Sequence, residues 1–354
     1  MEKLNHGGNI WELIEKYKFK KEEIFDFSSN VNPFFNISKI KKIIYSSLDE
    51  VCFYPESEYK KTRRIIGEKF GLSYKNVILG NGSIELIYLL PNSLNFKKTL
   101  IPIPTFSEYE RAIKLNGGNV IFLKTKEENN FKIEIDGILK NIPYIDSIFL
   151  CNPNNPTGNL VEKEDILKIL KKMEDDKFLV VDEAFIEFTD RESLYSEIKK
   201  YKNLLILRTL TKIFPIPGAR IGYLLGDEEV IEKVSKYLYP WNINSFAKNL
   251  IENLIDFDLT KIRGKIKKEK NYLVEKLKAI DKIKIFKGEA NFLLIKIEKD
   301  IDLKDFIEKL KFKGILVRDC SNIKGLYGNF IRISIRKRKE NEKLIKELKC
   351  LLYL

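Results

Sequence analysis

Lys212 closes the segment Thr209-Leu210-Thr211-Lys212, directly after the apolar run Leu204-Leu205-Ile206-Leu207, and Gly218-Ala219-Arg220 follows. The run reads as a buried strand, which places the lysine in a turn at its carboxyl end. A lysine there can form a Schiff base with a carbonyl, and two hydroxyls and an arginine beside it suit a phosphate. The pattern asks for a phosphorylated aldehyde. In a chain with 64 Lys and Arg, that reading needs partners from elsewhere.

Other apolar runs end on groups of the right kind. Val77-Ile78-Leu79 leads into Gly80-Asn81-Gly82-Ser83 and a helical pattern. The free N–H groups and Ser83 would face an anion, although a Gly-Asn-Gly turn with a serine cap is also ordinary helix-start chemistry. Ile148-Phe149-Leu150 leads into Cys151-Asn152-Pro153-Asn154-Asn155-Pro156-Thr157-Gly158. Two Asn-Pro pairs fix an extended turn, and an asparagine held there can donate to a phenolate or carboxylate oxygen.

Phe178-Leu179-Val180-Val181 leads into Asp182-Glu183-Ala184-Phe185. A carboxylate ending an apolar strand is costly unless it meets a cation, such as a protonated pyridine nitrogen; a helix-cap role is the other reading. Phe106 could stack on a flat ring or fill the core. Arg318 and Arg332 suit a substrate carboxylate or phosphate, or a carboxylate of the protein itself. His6, the only histidine, reads equally as a frayed terminus. A phosphate, a pyridine and an aldehyde together describe pyridoxal phosphate.

These residues must be positioned by the elements that carry them. From about residue 75, short apolar runs alternate with helical patterns up to Ile221-Gly222-Tyr223-Leu224-Leu225. Such alternation predicts an α/β fold, a mostly parallel sheet covered on both faces. The link from Leu207 to Ile221 is too short for a crossover helix, so that last strand is expected to be antiparallel. After Pro240-Trp241 comes a charged helical region over about 245–280. Runs at Asn291–Ile297 and Phe330–Ile335 follow, with a helix between them and another at the end, which reads as a smaller α+β domain. Expected boundaries are an arm over 1–45 that joins the small domain, a large domain over 46–240 and a small domain over 241–354.

Composition narrows the function classes. The formal charge is +13, but the lysines are spread along the chain among 51 acidic residues, and no nucleic-acid motif accompanies them. The densest patches, 261–270 and 336–339, read as solvated helix faces or a strand exit. No apolar run approaches the ~20 residues of a membrane span. The start, Met1 to Gly8, lacks a secretory core. Four scattered cysteines and one histidine argue against a zinc cluster or a disulfide framework. A cytoplasmic protein without metal, membrane or nucleic-acid partner is expected.

Gly80-Asn81-Gly82, Asn152 to Gly158, Asp182-Glu183-Ala184, and Thr209 to Lys212 with Arg220 resemble the fold type I pyridoxal-phosphate enzymes. The resemblance implies a three-layer αβα large domain with a seven-stranded sheet. It makes Lys212 the Schiff-base lysine and Asp182 the partner of the pyridine nitrogen. Asn155 would contact the phenolic oxygen and Phe106 the ring face, with Gly82, Ser83, Thr209, Thr211 and Arg220 on the cofactor phosphate. Tyr54, in Phe53-Tyr54-Pro55, would reach a neighbour's cofactor, which implies a homodimer with shared sites.

Within that family, His6-Gly7-Gly8-Asn9-Ile10, Asp26 to Pro33, Pro104 to Glu110 and Leu316 to Asn322 resemble the L-threonine-O-3-phosphate decarboxylases of cobalamin biosynthesis. Phe185 departs from the tyrosine common at this place in the related aminotransferases. This resemblance implies a phosphorylated amino acid as substrate, held by His6, Gly7, Asn30, Asn155, Arg318 and Arg332. Arg332 would take the carboxylate, with Arg318 and His6 near the phosphate. The implied reaction gives (R)-1-amino-2-propanol O-2-phosphate and CO2. The alternative is transamination of histidinol phosphate with 2-oxoglutarate.

Overall fold

Seven apolar runs become seven strands of one sheet in a computed structural model that describes residues 6–298 and 300–353. They are β1 (Val77–Asn81), β2 (Lys98–Ile103), β3 (Asn119–Lys124), β4 (Ser147–Cys151), β5 (Phe178–Asp182), β6 (Leu204–Thr209) and β7 (Ile221–Leu225). Their order is β1-β7-β6-β5-β4-β2-β3. Only β7 is antiparallel, against β1 and β6, as the short link before it requires. All the other strands therefore present their carboxyl ends at one edge.

Alternation along each strand divides the side chains between two layers. Ile78, Phe149, Val180, Leu205 and Leu207 pack under helices α1 (Ser83–Ser93) and α2 (Glu108–Leu115). Leu79, Leu150, Val181, Leu204 and Ile206 face the opposite layer, whose core runs on without a break through residues 283–335. Pairing of β2 with β4 stops after Leu100–Ile148, so these strands splay where the sheet's winding reverses, the usual ligand crevice of such folds. Asn154 ties the splayed ends together: it accepts from Thr105 Oγ1 at 2.7 Å and donates to Pro104 O at 2.9 Å.

The second sheet is antiparallel, in the order β10-β11-β9-β8, with β8 at Ile283–Phe286, β9 at Phe292–Ile297, β10 at Arg318–Asp319 and β11 at Asn329–Ser334. Phe25–Asp26 pairs with Ile315–Leu316 in parallel, and Ser334 N donates to Phe27 O at 2.8 Å. The amino-terminal segment is thereby bound to the small sheet; residues 1–5, in which a secretory core was sought, lie outside the described residues. Among the described residues no helix is long and apolar enough to cross a membrane.

The helical region expected over 245–280 is present but divided, and one expectation about its charges needs correction. The region is two helices, Ser245–Leu254 and Thr260–Lys278. Asp258 at the break accepts from Thr260 N at 2.9 Å and Thr260 Oγ1 at 2.6 Å, starting the second helix. The basic stretch 261–270 is also not a wholly solvated face. Lys270 is buried and donates to the carbonyls of Gly288 and Ala290, where it holds the loop that packs Gly288 against Gly158.

Candidate active site

A cavity of about 230 Å³ lies at the carboxyl ends of the large sheet and is walled on one side by the small sheet. Gly82, Ser83, Phe106, Asn155, Asp182, Thr209, Thr211, Lys212 and Arg220 line it, and so do His6, Gly7, Asn30, Arg318 and Arg332. Of the residues singled out in the sequence, only Tyr54 lies elsewhere. It is 81% exposed and tilts over Trp241 with ring centroids 4.7 Å apart.

The floor is built from strand ends. Asp182, buried at the end of β5, accepts from the Tyr109 hydroxyl at 2.6 Å and from Ala184 N at 3.0 Å. Burial pushes its pKa up, and those two bonds offset part of the rise. It begins no helix, so its carboxylate is not a cap. Tyr109 stacks on Phe149 at 5.0 Å and meets Phe106 edge-on at 5.6 Å. Lys212 Nζ donates to Ser29 O at 3.1 Å. Burial, then the charges of Arg332 and Arg220, bring its pKa down to about 8, so the amine deprotonates far more readily than one at the surface.

Beside Lys212, a cradle forms where β1 and β6 end. Thr209 Oγ1 donates to Ile221 O at 2.6 Å and lies 2.9 Å from Thr211 Oγ1. Gly82 has φ +75°, and a Cβ there would lie 2.5 Å from Arg220 Nη2, so only glycine lets that guanidinium close over the turn. A Cβ on Gly222 would lie 2.1 Å from Ser83 N. Gly82, not Ser83, is the N-cap of α1, without any side-chain cap. The Ser83 hydroxyl is therefore left to the cavity.

The opposite wall carries charge. Arg318 and Arg332 stand directly opposite each other on β10 and β11, an arrangement that like charges disfavour. They are 6% and 7% exposed. Arg332 donates to Asn155 Oδ1 and, at 2.6 Å, to Ser28 O; Arg318 donates to Asn322 Oδ1 at 3.0 Å. Neither forms a salt bridge among the described residues, and nor does Arg220. Burial, with Arg318 adding to it, takes Arg332 down to about 10. Asn30, 2% exposed with φ +57°, leaves its Oδ1 without a partner among the described residues. Asn155 spends its oxygen on Arg332, so its amide N–H groups are the ones left to donate.

His6 is not frayed. Its Nε2 lies 2.6 Å from Glu108 Oε1, Gly8 N donates to Ser28 Oγ at 2.7 Å, and a Cβ on Gly7 would come within 2.2 Å of Ser28 O. Reading the sequence missed Tyr109, Glu108 and the Ser28-Ser29 carbonyls. Tyr109 and Glu108 lie within Ser107-Glu108-Tyr109-Glu110, and the helical pattern there held no sign of which side chain turns inward.

The family model for aminotransferase class I and II matches residues 22–348. A Caldanaerobacter subterraneus subsp. tengcongensis protein, provisionally named a threonine-phosphate decarboxylase, is 36% identical over 99% of this chain and 95% of its own length. Among solved structures, the histidinol-phosphate aminotransferase of Clostridium acetobutylicum is 35% identical, with a TM-score of 0.85 over 92% of this chain and 98% of that one. The L-threonine-O-3-phosphate decarboxylase of Porphyromonas gingivalis is 25% identical, with a TM-score of 0.82 over 93% of this chain and 99% of that one.

Proposed function

The chain belongs to the aminotransferase class I and II family of pyridoxal-phosphate enzymes, and from that premise we propose that it decarboxylates L-threonine O-3-phosphate. The cavity suits the cofactor. Lys212 would meet its aldehyde, and Asp182, buried at the end of β5, its ring nitrogen. Phe106 would stand at its ring face, and Gly82, Ser83, Thr209, Thr211 and Arg220 form a cradle that a Cβ on Gly82 would fill. When bound, pyridoxal phosphate supplies an electron sink conjugated to the substrate Cα.

One observation carries the substrate assignment: beyond the arginine of the proposed cofactor cradle, two further buried arginines face the cavity with no carboxylate partner among the described residues. Burying such a pair costs several kcal/mol unless anions arrive. A substrate bearing both a carboxylate and a phosphate supplies two. In this reading Arg332, with Asn155, grips the carboxylate, and Arg318 with His6 takes the phosphate. Clamping both ends would select which Cα bond is oriented for cleavage, and in this reading it is the bond to the carboxylate. That bond would break, CO2 would leave with its carbon, and the bonding electrons would remain with Cα until it is protonated. In this reading Lys212 Nζ would return a proton to Cα, giving (R)-1-amino-2-propanol O-2-phosphate.

The similarity to histidinol-phosphate aminotransferases favours a second reading, transamination of histidinol phosphate with 2-oxoglutarate. Incubating the holoenzyme with each substrate set and identifying the phosphorylated product by mass spectrometry tests the choice. Aminopropanol phosphate from phosphothreonine supports the proposal, and a product from histidinol phosphate alone overturns it. We also infer a homodimer, because Phe53 and Tyr54 project bare from the surface as a residue serving a partner's site would. A monomer in light scattering would overturn that.

A further inference from the structure

Behind the cavity lies a buried acid that nothing above employs. Glu108, 4% exposed in the first turn of α2, accepts from the Tyr88 hydroxyl of α1 through Oε2. Its other oxygen is the one that meets His6 Nε2, and Arg111 Nη1 approaches to 3.9 Å. Burial drives the Glu108 pKa upward, yet the bonds from His6 and Tyr88 outweigh it and leave the group below its ordinary value. A charged acceptor against Nε2 requires a proton on that nitrogen; Nδ1 makes no hydrogen bond among the described residues, and donating to a phosphate oxygen would require a proton there as well, as in the imidazolium. The ring also rests against Phe106, centroids 5.8 Å apart.

His6 is held from the other side as well. Gly7 and Gly8 press on Ser28, whose carbonyl accepts from Arg332. The backbone is fixed to the small-domain wall and the side chain to the large domain, so the imidazole has little freedom left. We propose that Glu108, backed by Tyr88, is a positioning residue that anchors the His6 ring for contact with the substrate's phosphate. This rests on the reading of the Arg318–His6 side as a phosphate site. Pre-fixing the ring removes ordering entropy that each binding event would otherwise have to supply.

The test is calorimetry of the holoenzyme with inorganic phosphate, on the parent and on H6A, E108Q, Y88F and H6A/E108Q. H6A and E108Q should each weaken phosphate by about tenfold, and the double variant should be no weaker than H6A alone, because the two act as one unit. Y88F, which keeps the carboxylate and His6 bond, should lose about threefold. With phosphothreonine, E108Q should raise KM by about tenfold and leave kcat within about twofold, as lost ground-state binding does. Parent-like phosphate affinity in E108Q, multiplying losses in the double variant, or no phosphate binding by the parent would each overturn the proposal. Coupling in phosphate binding without CO2 release from phosphothreonine would retain the anchor and reject the decarboxylase.

Discussion

Arg208 and Arg332 are buried to nearly the same degree, 6% and 7% exposed, and their surroundings are opposite. Arg208 points from β6 into the layer away from the cavity. It donates to Glu183 at 3.0 Å and Glu187 at 2.6 Å and lies 5.2 Å over the Phe70 ring. Burial works against its charge, but Glu187, Tyr223 and Glu183 hold its pKa above the ordinary value. Arg332 meets an amide oxygen, a carbonyl and a second arginine, and its pKa falls. One arginine is paired with two carboxylates, whereas the other has none among the described residues and, in the proposed reading, would meet the substrate's carboxylate. The strand period makes the division: Arg208 and Glu183 point to one layer while their chain neighbours Thr209 and Asp182 face the cavity.

The sharpest way to test that division is on the cavity side. Lys212→Ala should lower turnover by roughly 10⁴-fold or more, abolish the visible absorbance of covalently held cofactor, and leave the melting transition close to the parent's. Retained absorbance would reject the lysine assignment. Next come the two arginines, which should respond in opposite ways. Arg208→Met strands two buried carboxylates and should cost about 3–5 kcal/mol in chemical denaturation. Arg332→Met relieves an unpaired charge. It should leave stability unchanged or higher and cut kcat/KM for phosphothreonine by about 2–5 kcal/mol in transition-state terms. If both variants lose stability equally, the contrast between the layers fails.

Smaller effects refine the picture. Gly82→Ala should weaken pyridoxal-phosphate binding by about tenfold, since its Cβ displaces Arg220; fluorescence titration of the apoprotein measures this. The least perturbing test is a pH titration. Lys212 is depressed to about 8, so its reactivity toward an amine-labelling reagent in the apoprotein should rise with pH around a midpoint of about 8. The folded chain gives up this proton before the unfolded chain does. The energetic cost of the buried cation is therefore fully present below pH 8 and is relieved as pH rises toward 10.5. A midpoint near 10.5 would show that the lysine is not enclosed.

The strand ends were legible because each functional group there follows a continuous apolar run, and a parallel sheet brings all such ends to one edge. Lys212, Asp182, Asn155 and Gly82 needed no long-range information beyond that rule. Tyr109 and Glu108 were not legible, because their partners Asp182 and His6 are remote in sequence and a helix shows nothing of which neighbour it meets. Lys270 misled for the reverse reason. Its surroundings in sequence are charged, but a backbone loop from another part of the small domain closes over it. The roles of Arg318 and Arg332 depend on what they lack, which only the assembled fold displays.

Decarboxylation and transamination differ in which bond at Cα a two-ended clamp would expose. The direct measurement supplies the holoenzyme with O-phospho-L-threonine labelled at the carboxyl carbon, with no keto acid present, and follows labelled CO2. Release in step with aminopropanol phosphate is the predicted result. No labelled CO2, together with brisk amino transfer from histidinol phosphate once 2-oxoglutarate is added, would contradict it.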